Sequence, residues 1–168
     1  MKTIVLILSF FALSFGALSQ TPSFPVHPNI IYFEAGGTCG YGSLNFERLL
    51  PFKNNFQVSG RIGITTIKIQ DYNQKLNPDV LIPFGLKAFY GVEHKIQLGI
   101  GQVFANTVRS DSDTQKMVRQ TNFHTYFSIG YRYQKEGARF LFGINYTPFI
   151  EFQETFRHWG GLTIGYSF

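Results

Sequence analysis

From residue 29 to residue 168 the chain is a succession of short stretches in which apolar residues alternate with small or polar ones. "GGLTIGYSF", Gly160 to Phe168, shows the pattern most cleanly. Leu162, Ile164, Tyr166 and Phe168 are apolar, whereas Gly161, Thr163, Gly165 and Ser167 are small or polar. A period of two places successive side chains on opposite faces of a β-strand, and no long apolar stripe at helical spacing competes with it. Eight such stretches follow one another: Asn29–Gly36, Tyr41–Leu50, Phe56–Ile69, Val80–Gly91, Lys95–Asn106, Asn122–Gln134, Arg139–Phe152 and Trp159–Phe168. The 19 Phe, 9 Tyr and 17 Gly against one Trp agree with twisted β-structure.

The connections alternate as well. Short turns, "PFKNN", "VEH" and "KEGA", follow the second, fourth and sixth stretches. Longer polar loops, "QDYNQKLNPD" and "TVRSDSDTQKMVRQT", follow the third and fifth, and "GTCG" and "QETFRH" fall on that same side. Short turns at one end and longer loops at the other predict an all-β, eight-stranded antiparallel up-and-down transmembrane β-barrel.

A membrane barrel and a soluble lipocalin-like cup differ in which face is apolar, so the faces decide between them. In the sixth stretch Phe123, Thr125, Phe127, Ile129, Tyr131 and Tyr133 share one face, opposite His124, Tyr126, Ser128, Gly130, Arg132 and Gln134. The seventh sets Phe140, Phe142, Ile144 and Tyr146 against Arg139, Gly143, Asn145 and Thr147. The fourth separates Val80, Ile82, Phe84, Leu86 and Ala88 from Gly85 and Lys87. The third separates Phe56, Val58, Ile62 and Ile64 from Gln57, Ser59, Arg61 and Thr65. No charged residue falls in the middle of an apolar face, where Lys or Arg costs roughly 2–4 kcal/mol in a bilayer.

The other face gathers Glu34, Glu47, Arg61, Lys87, His124, Arg132 and Glu151. Charge and glycine crowded onto one face suit a narrow interior filled by side chains, and turn the apolar face toward lipid. Closing "PFKNN" as a tight hairpin pairs Glu47 with Ser59 and sets Arg61 diagonally beside Glu47. Closing "KEGA" pairs Ser128 with Asn145 and His124 with Phe149, and makes His124 and Glu151 diagonal neighbours. Both registers match like faces. Gln102 to Ala105 break the alternation and predict a β-bulge. Tyr90, Tyr131 and Tyr133 suit an interfacial aromatic girdle at the short-turn end, and Trp159 and Phe156 one at the loop end.

The opening "MKTIVLILSFFALSFGALSQ" has Lys2, an apolar run and the small-x-small Ala17-Leu18-Ser19 of a secretory signal. Cleavage is expected after Ser19, giving residues 1–19 as signal peptide, 20–28 as a proline-bearing periplasmic lead-in and 29–168 as the barrel. Export to the cell outer membrane follows, with lipid as the solvent of the apolar face. The formal charge falls from +5 to +4 when Lys2 is removed. Its basic residues are scattered, so no nucleic-acid partner is expected. Cys39 is the single cysteine, which excludes an intrachain disulfide framework.

Strand pattern, loop asymmetry and terminal aromatic together resemble the small eight-stranded outer-membrane barrels of the outer-membrane protein A and X type. The resemblance implies that Leu162, Ile164, Tyr166 and Phe168 form the signal read by the barrel assembly machinery during biogenesis. Thr163 departs from it, standing where the family's signal often has Gly.

His124 and Glu151 come nearest to a catalytic pair. Known barrel deacylases carry a Ser two positions after the His, facing lipid. Here that position is Tyr126, and Ser128 lies about 13 Å from His124 along a strand. No enzyme is therefore expected. Asp111 and Asp113 in "SDSDTQK" lack the glycine and terminal Glu of a calcium loop. His27, His94, His124 and His158 are dispersed, so neither metal nor cofactor is expected. The charged lumen reads as an ion-paired plug centred on Glu47 with Arg61, or as the lining of a small gated pore. The favoured reading is a non-enzymatic outer-membrane barrel acting through exposed loops or as an envelope component. The alternatives are an outer-membrane lipid-modifying enzyme and a secreted lipocalin-like carrier.

Overall fold

The computed structural model describes residues 27–50, 55–66, 68–70, 76–110, 117–151 and 154–168. The expected signal peptide, most of the lead-in, and Asp111 and Asp113 lie outside them. The strands are β1 (Asn29–Gly36), β2 (Gly42–Leu50), β3 (Phe56–Ile64), β4 (Val80–Tyr90), β5 (His94–Ser110), β6 (Met117–Tyr133), β7 (Phe140–Tyr146), β8 (Phe149–Glu151), β9 (Glu154–Arg157) and β10 (Gly160–Ser167). A 3-10 turn, Gly37–Cys39, joins β1 to β2.

Every wall pairing is antiparallel between neighbours in the chain, with β7 beside β10, and β10 returns to pair with β1. That last pairing closes an eight-stranded barrel and leaves no free edge around the wall. Backbone hydrogen bonds join Asn29 N to Phe168 O (3.2 Å) and Phe168 N to Asn29 O (2.8 Å), so the terminal residue is tied into the seam.

Parity along the strands sorts the side chains as the alternation predicts. Ile31, Phe33, Leu44, Ile62, Leu86, Ile100, Ile144 and Leu162 face outward and are exposed, while Ile30, Tyr32, Glu34, Glu47 and Leu141 are buried inside. The inward residues form two apolar layers. Ile30, Tyr32, Leu49, Phe89 and Leu141 fill the short-turn end. Cys39, Leu81, Val103, Ala105 and Tyr126 fill the loop end.

Several details depart from the sequence reading. Glu47 lies directly opposite Arg61, and Ser59 opposite Leu49. Asn145 lies opposite Gly130 rather than Ser128, and Phe149 opposite Tyr126 rather than His124. Both hairpins are displaced by two residues, a shift that leaves every side chain on its face. The cause is the stagger of a closed barrel, in which a strand reaches further along one neighbour than the other. Phe56 pairs with Tyr90 of β4, Gln134 N bonds Glu93 O of β5, and Ser167 N of β10 bonds Arg139 O. These residues are therefore taken from the tight turns and given to the far neighbour.

There is no bulge at Gln102 to Ala105. The register of β5 with β4 and β6 runs through without a shift. Polarity alone inverts there: Gln102 points out and is exposed, whereas Val103 and Ala105 are buried. β3 ends at Ile64, short of Ile69, but its pairing with the chain entering β4 goes on past that point: Thr65 bridges Leu81, Asp79 N bonds Lys68 O (2.9 Å), Asn77 N bonds Ile69 O (3.2 Å) and Gln70 bridges Leu76. The seventh stretch is split at Thr147-Pro148, since Pro148 has no N–H to give the ladder. Thr147 N instead bonds Trp159 O (2.7 Å), and "QETFRH" contributes β9. Arg139, assigned inward, is exposed on the outer face and donates to the Tyr166 hydroxyl (2.7 Å).

Candidate functional site

Between the two apolar layers lies a buried network in two connected parts. In the part nearer the short turns, Glu47 of β2 accepts from both ends of the Arg132 guanidinium of β6. Nη1 meets Oε1 at 2.7 Å and Nη2 meets Oε2 at 3.0 Å, the fork-on-fork geometry that makes such pairs strong. Lys87 of β4 completes the triad, its Nζ 3.5 Å from Glu47 Oε2, and donates to the Tyr32 hydroxyl at 3.1 Å. The cations also rest on aromatic faces, Arg132 at 4.3 Å from the Phe89 ring centre and Lys87 at 4.8 Å from that of Tyr32.

In the part nearer the loops, Glu34 of β1 is the acceptor. Arg61 Nη2 lies 3.4 Å from its Oε2, Thr38 Oγ1 donates to the same oxygen at 2.7 Å, and Asn145 Nδ2 donates to Oε1 at 2.7 Å. Arg61 Nη2 also donates to Thr38 Oγ1 (2.7 Å) and Asn45 Oδ1 (3.1 Å), and the guanidinium stands 5.4 Å from the Tyr126 ring centre. Gln97 donates to Asn145 Oδ1, carrying the network to β5. Lys95 Nζ donates to Gln57 Oε1 (3.0 Å) near the short turns.

The one ion pair expected from the sequence, Glu47 with Arg61, is not the one that forms. Arg61, although opposite Glu47 in the ladder, pairs with Glu34, and Glu47 pairs with Arg132 and Lys87. An eight-stranded lumen is narrow enough for long side chains to cross it, so the shortest ion pairs join strands that are not neighbours. His124 sits half-buried on the inward face. The side chain of Glu151 is outside the described structure, as is that of Phe156.

Two glycine positions show how tightly the interior is filled. A β-carbon at Gly85 or Gly101 would fall 2.6 or 2.5 Å from the Tyr126 hydroxyl, so the ring crosses the lumen only because both side chains are absent. Gly37 holds φ at +70°, and a β-carbon there would come 2.6 Å from the Glu34 carboxylate. Sequence reasoning gave Tyr32, Thr38, Asn45, Gln97 and Asn145 no place in the polar network. Tyr32, Asn45, Gln97 and Asn145 carry only inward parity, which neutral residues give as readily as charged ones, and Thr38, in the 3-10 turn, carries no strand parity at all.

On the outer surface Leu162, Ile164, Tyr166 and Phe168 are exposed in a row along the closing strand. Tyr90, Tyr131 and Tyr133 are exposed near the short turns, and Trp159 at the loop end donates to Gly40 O at 3.0 Å.

A closed eight-stranded wall, apolar outside and ion-paired within, defines the class: a small membrane β-barrel. Its fold is that of the eight-stranded outer-membrane barrels. It is similar to the N-terminal β-barrel domain of Pseudomonas aeruginosa OprF, with TM-score 0.55 and 14% identity over 84% of this chain and 98% of that one. It is also similar to the Yersinia pestis outer membrane protein Ail, with TM-score 0.53 and 12% identity over 84% of this chain and 99% of that one. No family model and no curated protein matches the sequence.

Proposed function

We propose that this protein is a non-enzymatic integral barrel of the outer membrane, with a plugged lumen, acting through its exposed loops or as a structural component of the envelope. The observation that carries the reading is the pairing of opposites across one wall: exposed Ile, Leu and Phe outside, and a network of two carboxylates and three cations within. In water that arrangement leaves a large apolar surface exposed; in a bilayer the same surface meets lipid, and the charges stay on the inner face, paired and away from it. The apolar layers above and below the network support a plug rather than a conduction path. Export through the signal 1–19, cleaved after Ser19, and delivery by the barrel assembly machinery through Leu162, Ile164, Tyr166 and Phe168 belong to the same proposal.

The loops give this reading its outward-facing surface. The β5–β6 ladder continues past Asn106, where β4 ends, through Thr107–Gln120 to Ser110–Met117. At strand rise those further pairs lift the hairpin about 13 Å above the wall. The test is heat-modifiable gel mobility of the protein recovered from outer-membrane fractions. A mobility difference between unboiled and boiled samples is expected. Recovery in the soluble fraction with no difference refutes the proposal and reinstates a lipocalin-like carrier.

A further inference from the structure

Arg48 does not match the wall on which it stands. It is exposed on the outer face of β2 between Phe46 and Leu50, both also exposed. Leu50 and Val58, and then Phe56 and Tyr90, pair closer to the short turns than Arg48 does. The guanidinium thus springs from inside the apolar band, behind its Tyr90 border. Among the described residues its polar contact is Nη1 donating to Asn29 Oδ1 at 3.4 Å. Among the described residues no carboxylate pairs with it.

The residue opposite Arg48 on β3 is Gly60. It also faces outward, and a β-carbon built there has no atom within 4 Å. The missing side chain leaves a groove of about 440 Å³ floored by Gly60 and walled by Phe46, Ile62, Phe84 and Leu86. An apolar trough beside a guanidinium that meets no carboxylate among the described residues is complementary to one kind of molecule, an amphiphile with an anionic head.

We propose that Arg48 and the Gly60 groove form a binding site for an anionic glycerophospholipid of the leaflet that meets the short turns. The phosphate accepts hydrogen bonds from Arg48, whose side chain Asn29 steadies, and one acyl chain lies over Gly60. Arg is suited to this because its planar fork matches two phosphate oxygens. A second copy of the chain is disfavoured, since a two-fold contact through this patch sets Arg48 against Arg48. The site rests on the membrane-barrel reading proposed above.

The test uses the full barrel reconstituted in phosphatidylcholine vesicles, with spin-labelled phosphatidylglycerol or phosphatidylcholine as probe. Heat-modifiable mobility first establishes that wild type, Arg48→Gln and Gly60→Leu are inserted. Wild type is expected to retain phosphatidylglycerol about five-fold more strongly than phosphatidylcholine, the worth of one basic residue toward an anionic lipid. Arg48→Gln is expected to abolish that preference, and Gly60→Leu to lower the immobilised fraction of both probes. Inserted protein whose preference survives Arg48→Gln, or whose chain immobilisation ignores Gly60→Leu, overturns the site alone. A chain that never inserts overturns the membrane reading and the site with it.

Discussion

Glu47 is the carboxylate on which the lower half of the interior depends, and its removal is the sharpest test of the buried network. It holds Arg132 through two hydrogen bonds and Lys87 through a 3.5 Å contact, with all three side chains at most 2% exposed. Glu47→Gln leaves two buried cations facing a neutral amide. Removing one partner of a buried ion pair costs about 3–5 kcal/mol, because the remaining charge keeps its desolvation penalty. Two stranded cations place this substitution at the upper end of that range. Arg132→Met differs in kind: it removes a charge while Glu47 keeps Lys87, and the thioether chain fits against Phe89. Its cost is expected to be clearly smaller. Urea unfolding in phospholipid vesicles, followed by gel mobility and by the fluorescence of the single tryptophan, Trp159, measures both. An Arg132→Met variant destabilised as much as Glu47→Gln refutes the hub role of Glu47. A Glu47→Gln change below about 1 kcal/mol refutes the premise that the triad is desolvated.

Further expectations concern the other layers. Ile164 is half-exposed mid-strand on β10, and Ile164→Arg should destabilise the barrel by about 2–4 kcal/mol in vesicles, whereas equal stability would mean that this face does not meet lipid. Burial pushes the Cys39 thiol up to about 12, so maleimide should not label the folded protein between pH 7 and 9; rapid labelling would show that the 3-10 turn is not packed as described. Favouring the neutral thiol, the fold gains stability that is complete below the unfolded thiol's value near pH 8.5 and is lost as pH climbs toward 12. Gly101→Val should cost at least about 1–3 kcal/mol, because its β-carbon would meet the Phe84 carbonyl of β4 as well as the Tyr126 ring, read from the same urea curves; no loss would mean that neither the ladder nor the ring is packed as described. Phe168→Ala should lower the amount assembled in cells more than it slows folding in vesicles; equal effects on both would remove the assembly-signal role.

The parts of the fold legible from residues alone are those set by period and composition. Leu162, Ile164, Tyr166 and Phe168 alternating with Gly161, Thr163, Gly165 and Ser167 specify a strand with one apolar face, whatever its neighbours do. The loop asymmetry then gives the up-and-down order. The exposed row on β10 and the buried Glu34, Glu47, Arg61, Lys87 and Arg132 follow from that parity. The sequence signal fails in two ways: Arg139 has the inward parity of Gly143 and Asn145 but stands in the bend before β7, where alternation no longer holds, and reaches outward to Tyr166; Gln102 imitates a bulge by being polar on the outer face.

Which residues meet inside was decided only by closure. A two-residue slip costs nothing in facing, so local pattern cannot choose between Glu47 opposite Ser59 and Glu47 opposite Arg61; the stagger of the whole barrel chooses. Pairing across the lumen is more remote still. Glu47 finds Arg132 and Glu34 finds Asn145 because a closed wall brings strands distant in the chain within a side chain's reach. Alternation along a strand is a local property of φ and ψ, and the chain carries it at every residue. Partnership across a barrel exists only once β10 has bonded to β1, so only the tertiary structure fixes which charges neutralise one another.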